Sequence, residues 1–308
     1  MPKTAFLFPG QGSQFAGMGK ALAAEFQIAR RAFEEADAAL GFPLSRLCFE
    51  GPEEQLKLTE NTQPAILCVS VAAWRVLDRN GHRPHYVAGH SLGEYSALVA
   101  AGALAFGEAL RIVRNRGRYM QEAAPPGAGA MAAILKLPEG KLEEVLASAA
   151  RGEVVSAANL NSPEQVVIAG HTGAVNRAIE LAKAAGARRA VLLPVSAPFH
   201  CALMKPAQER LAVDLESVEF RDLAVPLINN WRSRQVRTAA GAREGLVEQV
   251  PNPVRWTDTI RTLTGAGVER FVEVGPGAVL TGLMKANAPT AGAWRFGEPA
   301  DLEKLPSL

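Results

Sequence analysis

The run Gly89-His90-Ser91-Leu92-Gly93-Glu94-Tyr95-Ser96-Ala97 constrains this chain more than any other stretch. It follows the apolar-leaning His85-Tyr86-Val87-Ala88 and leads into helix-forming residues, so it reads as strand, sharp turn, helix. In a Gly-x-Ser-x-Gly elbow, glycine-sized neighbours let the backbone double back, and the serine hydroxyl projects from the carboxyl edge of a sheet. Ser91 is therefore a candidate nucleophile. The N–H groups that open the following helix, beginning at Leu92, lie where the helix dipole and unspent donors favour a developing oxyanion. The competing reading is a glycine-flanked serine that merely caps a helix.

A second loop of this kind follows the first strand candidate. Thr4 to Phe8 runs into Pro9-Gly10-Gln11-Gly12-Ser13-Gln14, ahead of a helical pattern from Gly19 to Ala39. Glycines at 10, 12 and 17 miss the dinucleotide fingerprint, which needs its third glycine three residues after the second. The spacing in Gly275-Pro276-Gly277 misses it too, so no cofactor is expected. The better use of the first loop is to present backbone donors at the sheet edge, with Gln11 the candidate.

Further along, Asn61-Thr62-Gln63-Pro64 reads as a helix start, and the mainly apolar Ala65 to Leu77 as a buried helix. A helix from Phe106 to Glu122 carries the stripe Leu110, Val113, Gly117, Met120, with Arg111, Arg114, Arg116 and Arg118 along it. Two prolines and two glycines in residues 123–129 end that helix. Beyond them the order is strand, helix, two strands joined by Asn161-Ser162-Pro163-Glu164, helix, strand. That βαββαβ order is a split βαβ of ferredoxin-like type. The expectation is an α/β chain: a large domain with a parallel sheet from residues 1–126 and 196–308, and a ferredoxin-like insertion at 127–195. A chain of 308 residues is long enough for both.

Charge narrows the partners. With 33 Lys+Arg against 31 Asp+Glu, nothing suggests a nucleic-acid footprint or a polybasic membrane anchor. Cys48, Cys68 and Cys201 have no metal-ligand spacing, and an odd number argues against a disulfide framework. The apolar start Ala5-Phe6-Leu7-Phe8 is too short for a signal peptide, and no run is long enough to span a membrane. A soluble, cytoplasmic protein is expected.

A serine nucleophile needs a base within hydrogen-bond reach. Of five histidines, His82 and His85 precede the elbow strand and belong at its far end. His90 adjoins Ser91 with its side chain directed elsewhere. His171 suits a helix start. His200, in Val195-Ser196-Ala197-Pro198-Phe199-His200, sits where the chain re-enters the large domain. It is the candidate base, against a plain helix-capping role. Asp214, Asp222 and Asp258 carry no positional hint of a third member; a backbone carbonyl orienting the histidine would make a dyad.

Several motifs occur together in order: FPGQGSQ from Phe8, GHSLGEYSA, NRGRYMQEA from Asn115, NLNSPEQVVIAG from Asn159, PFHCALM from Pro198, NPVRW from Asn252 and EVGPG from Glu273. With them the chain resembles the malonyl-CoA:acyl carrier protein transacylase family over nearly its whole length. The resemblance implies an α/β-hydrolase-like large domain with a ferredoxin-like insertion, and malonyl-CoA and acyl carrier protein as partners. Ser91 would carry the malonyl group as an ester. His200 would act as base and then acid. The N–H groups of Gln11 and Leu92 would form the oxyanion hole, and Arg116 would pair with the malonyl carboxylate. Gln249 would orient the histidine through its main-chain carbonyl. Phe199 would crowd out an added methyl, and Asn159 and Asn161 would sit near the cleft. Pro251 departs from the family pattern close to Gln249.

The role of Arg116 also makes chemical sense. A guanidinium grips a carboxylate with two parallel hydrogen bonds, and in a dry site it rejects acyl groups that leave it unpaired. On position alone, with three arginines nearby, a solvated face is the plainer reading. Rival functions are a serine thioesterase or other hydrolase, a non-catalytic carrier-docking subunit, and a related transacylase of polyketide or malonate decarboxylase systems. On charge alone, Arg188, Arg189 and Lys285 are candidate carrier contacts.

Overall fold

The computed structural model of the chain describes residues 2–125, 127–195 and 197–306. The domain junctions expected at Pro126 and Ser196 therefore lie outside the described residues. In chain order the strands are β1 (Lys3–Phe8), β2 (Tyr86–Gly89), β3 (Gly129–Leu135), β4 (Val155–Ser162), β5 (Gln165–His171), β6 (Arg189–Leu192), β7 (Leu227–Ile228), β8 (Gln235–Val236), β9 (Val268–Val274) and β10 (Gly292–Phe296). They form two sheets, making a mixed α/β fold. One sheet has the order β10-β9-β1-β2-β7-β8 and is parallel except for the β7/β8 pair. The other, β4-β5-β3-β6, is antiparallel throughout.

β1 shows why the first sheet is covered on both faces. Side chains alternate along a strand: Phe6 and Phe8 enter one hydrophobic cluster, Ala5 and Leu7 another. Helices Gln27–Leu40, Thr59–Arg79 and Phe106–Glu122 supply the first cluster. Helices Trp256–Gly265 and Val279–Asn287 supply the second, through Trp256, Ile260, Leu263, Leu280 and Met284. Strands buried on both sides read as continuous apolar runs, as β1 does.

The antiparallel sheet divides its faces differently. Ala132, Ile134 and Ile168 pack with helices Lys141–Ala150 and Thr172–Ala184. Met131, Ala133 and Val167, on the opposite face, join the large cluster and look onto a cavity at the carboxyl ends of β1 and β2. The smaller sheet thus forms a wall over the edge where Gln11 and Ser91 emerge.

Several expectations about elements need correction. The helix expected over Gly19 to Ala39 is two, Lys20–Glu25 and Gln27–Leu40, because Phe26 is extended (φ −110°, ψ 115°) and packs against the core. The helix expected to start at Asn61 starts at Thr59, with Pro64 inside it. Between β7 and Arg243 the chain contains β8 and the first five of the eleven residues of helix Ala239–Gln249. β10 was not anticipated, since it is held by parallel pairing with β9 rather than by a local pattern. Among the described residues, no helix is long and apolar enough to cross a membrane.

Candidate active site

The elbow is built by close approach. A side-chain carbon on Gly89 would collide with the backbone of Gly93, and one on Gly93 with the Phe8 carbonyl at the end of β1. Between them Ser91 adopts a positive φ of 52°, which a non-glycine residue holds only when its surroundings over-determine it. Asn230, on the loop after β7, does much of this. Its Oδ1 accepts from the Ser91 N–H at 2.7 Å, and its Nδ2 donates to the Gly89 carbonyl at 2.6 Å.

His200 also lies at positive φ, 58°, and is 3 % exposed. Its Nε2 is 2.7 Å from Ser91 Oγ and its Nδ1 is 3.0 Å from the Gln249 carbonyl. A carbonyl only accepts, so Nδ1 carries the proton and Nε2 is the free base to which the serine hydroxyl donates. Burial, followed by the nearby Arg116 charge, pulls the His200 pKa down to about 3. The ring is therefore neutral at physiological pH.

No carboxylate completes a triad among the described residues. Asp214 accepts from Asn115 and Tyr119, Asp222 from the Ala239 N–H, and Asp258 pairs with Arg261. Carbonyl-oriented dyad geometry is what remains.

Arg116 sits on the buried stripe of its helix, with Ala109, Val113 and Met120 at helical spacing. Gly117 makes this possible: any side chain there would strike the backbone of Thr59 and Glu60, so the two helices meet closely and Gln63 comes opposite Arg116. The guanidinium is 1 % exposed. Nη1 donates to Gln63 Oε1 at 2.7 Å, while Nη2 donates to Gln249 Oε1 at 2.9 Å and to Ser91 Oγ at 3.1 Å. Nε has no partner, and among the described residues no carboxylate pairs with Arg116. Burial draws its pKa down, with Tyr95 and Glu94 opposing. A buried cation that no carboxylate pairs with directly, beside the Ser91 hydroxyl, is suited to an anionic group.

Gln11 and Phe199 line the same cavity, about 360 Å³ in volume, with Ser91, His200 and Arg116. Among the described residues the N–H groups of Gln11 and Leu92 donate to nothing in the chain. Asn159 and Asn161 line it too, and Asn161 Oδ1 is 2.8 Å from His90 Nε2. His90 lines the cavity wall with its side chain on Asn161 and not on Ser91, as expected. His171 stands at the start of helix Thr172–Ala184, as expected, though its side chain does not cap it: Nδ1 accepts from the Val154 N–H instead. His85 accepts from the Thr4 N–H at the far end of the strand, as expected. Pro251 does not disturb the Gln249 carbonyl, which reaches His200.

Three contributors were absent from the sequence reading. Gln63 and Asn230 are described above. Glu94, fully buried one turn after Ser91, accepts from the Asn230 N–H at 3.0 Å and from Gln249 Nε2 at 2.8 Å through the same oxygen, Oε2. Burial pushes its carboxyl up to about 7. A lone acid in the otherwise uncharged Gly93–Ala100 helix was the available signal.

The family model of the acyl transferase domain matches residues 5–291. A malonyl CoA-acyl carrier protein transacylase of Salmonella typhimurium is 50% identical over 98% of this chain and 98% of its own length. The crystal structure of an acyl carrier protein S-malonyltransferase from Vibrio cholerae superposes with a TM-score of 0.97 at 46% identity, covering 99% of this chain and 100% of that one. A malonyl-transacylase solved in complex with its type II PKS acyl-carrier protein gives 0.96 at 48% identity, over 98% of both chains. The chain belongs to the acyl transferase domain family and, within it, to the malonyl CoA-acyl carrier protein transacylases.

Proposed function

We propose that this protein transfers the malonyl group of malonyl-CoA to the phosphopantetheine thiol of acyl carrier protein, through a malonyl ester on Ser91, for fatty acid synthesis. The single observation that carries this reading is Arg116: a buried guanidinium with no carboxylate paired to it among the described residues, one nitrogen 3.1 Å from the serine oxygen. A malonyl thioester has a carboxylate to fill that place.

In the first half-reaction Ser91 Oγ attacks the thioester carbon as its proton passes to His200 Nε2. The N–H groups of Gln11 and Leu92 receive the oxyanion. The C–S bond then breaks, and the departing coenzyme A sulfur takes the proton from His200. The second half-reaction reverses these steps with the carrier thiol as nucleophile. Throughout, Arg116 holds the carboxylate, the Gln249 carbonyl holds the histidine, and Phe199 limits the space beside the acyl group. A larger cavity of about 1020 Å³, lined in part by Gln11, Leu193 and Val195, adjoins the first and gives a long thiol arm a way in.

For the architecture, we assign residues 1–126 and 196–308 to an α/β-hydrolase-like domain and 127–195 to a ferredoxin-like insertion. The βαββαβ order and the strand sequence β4-β5-β3-β6 support the latter. We place the protein in the cytoplasm, which suits three buried, unpaired cysteines.

The test is mass spectrometry after incubation with malonyl-CoA. A malonyl adduct on the Ser91 peptide, absent from Ser91→Ala and discharged by holo acyl carrier protein, is expected. No adduct would overturn the proposal. Rapid release of free malonate without carrier protein would make the chain a thioesterase instead.

A further inference from the structure

Gln249 touches the site twice. Its carbonyl orients His200, and its side-chain amide faces Arg116. The second contact works only if the amide points one way, with Oε1 toward the guanidinium and Nε2 away from it. Exchanging the two ends would set an N–H₂ against a cation and leave both partners unpaired.

The direction is set by a chain of obligatory donors and acceptors. It starts at a backbone N–H, that of Asn230, which can only donate. Glu94 Oε2 accepts from it at 3.0 Å and accepts again from Gln249 Nε2 at 2.8 Å. The same Nε2 faces two further acceptors, the Ser91 carbonyl at 3.1 Å and Asn230 Oδ1 at 3.4 Å. Asn230 in turn is fixed by backbone groups at both ends of its amide, the Ser91 N–H and the Gly89 carbonyl. With every neighbour on that side an acceptor, Gln249 presents its nitrogen there and its oxygen to Arg116.

We propose that Glu94 is a positioning residue: by accepting from both Asn230 and Gln249 it fixes the Gln249 amide, and so holds Arg116 in place beside Ser91. Its carboxyl makes no hydrogen bond to Ser91, which it meets only through its backbone N–H, and it does not line the cavity. Its other oxygen, Oε1, has no partner, so both ordered contacts pass through Oε2. What the site requires at this position is an acceptor of the right reach, and a glutamine can supply one.

The effect should show in acyl-group selectivity, because Arg116 meets the carboxylate and an acetyl group has none. The assay rests on the malonyl-transfer reading above. Single-turnover acylation of the full chain, followed by intact mass with malonyl-CoA and acetyl-CoA, compares Glu94→Met, Glu94→Gln and the unaltered protein. In Glu94→Met, malonyl acylation is expected to fall at least ~30-fold, and to fall at least ~10-fold more than acetyl acylation. Glu94→Gln is expected to restore malonyl acylation to within about threefold. Equal losses for the two acyl groups, no loss in Glu94→Met, or a Glu94→Gln as impaired as Glu94→Met would each overturn the proposal. Should Glu94→Met fail to fold, Gln249→Leu breaks the same relay at its other end while keeping the main-chain carbonyl. It should lose malonyl selectively, and a parallel loss would count against Glu94 in the same way. Unaltered protein that takes no malonyl group would overturn the function itself, and is read first.

Discussion

Ser91 and His200 are 109 positions apart, yet both adopt left-handed backbone conformations, φ 52° and 58°, and their side chains meet at 2.7 Å. Neither is a glycine. Each conformation costs on the order of 1–3 kcal/mol, and hydrogen bonds donated to Asn230 Oδ1 and to the Gln249 carbonyl hold the two residues there.

That strain has a measurable consequence. Glycine adopts positive φ freely and alanine does not, so Ser91→Gly should be more stable than Ser91→Ala by about 1 kcal/mol. Both should be unable to form the acyl ester. Thermal unfolding of the pair checks this, and an alanine variant as stable as the glycine variant would contradict it.

The glycines around the serine leave no such latitude. Gly89→Ala and Gly93→Ala each place a methyl inside a neighbouring backbone segment. Either should destabilise the fold by about 3 kcal/mol or more, through displacement of the elbow from β1. Soluble yield and melting temperature would show it. Gly282→Ala, which meets nothing within 4 Å, is the control.

The acid limb of activity should lie unusually low. In the proposed mechanism His200 is the base in its neutral form, and burial with Arg116 nearby brings its pKa to about 3. The kcat/KM for malonyl-CoA, which reports the free enzyme, should therefore persist down to about pH 5 rather than decline near 6.5. The stability effect has a defined sign. Because the folded pKa is below the unfolded one, the His200 contribution is present above about pH 6.5 and is lost as pH falls toward 3. His90 shifts in the same direction, by burial. Glu94, raised to about 7, acts oppositely: its contribution is present below about 4.5 and is lost as pH rises through 7. A His200→Phe variant should lose less stability on acidification than the unaltered protein, measured by denaturant titration at pH 7 and 5.

Charge alone should not replace Arg116. One guanidinium reaches Gln63, Gln249 and Ser91 together, and a lysine ammonium lacks the planar fork to do so. Arg116→Lys should lower kcat/KM for malonyl-CoA by about 100-fold, and Arg116→Ala by more. The malonyl preference over acetyl should narrow in both. Steady-state kinetics with the two thioesters decides it.

Phe199 is the wall most open to alteration, being 8 % exposed and facing the cavity. Phe199→Ala should raise kcat/KM for methylmalonyl-CoA relative to malonyl-CoA by about tenfold, the usual scale for one methyl in a pocket. An unchanged ratio would place the methyl-sensing contact elsewhere.

The elbow, its serine and the alternation of strand and helix were legible in the sequence because they rest on local sterics. Glycine spacing dictates where a chain can reverse, and apolar periodicity dictates which elements bury a face. His200 followed from the scarcity of histidines. Even Arg116 could have been placed in the interior, since 109, 113, 116 and 120 form one helical stripe; a run of four arginines hid it. The edge strand β10 and the break at Phe26 were not legible, being settled by pairing and packing with distant residues.

By itself, then, the sequence determined a serine on a strained turn at a sheet edge and a histidine to serve it. Only the tertiary structure decided what surrounds them. Gln63, Glu94, Asn230 and Gln249 come from separate elements, and their amide and carboxyl groups have meaning only as partners of one another or of Arg116. Burial turns those contacts from optional to obligatory, because a polar group removed from water must find its complement within the protein.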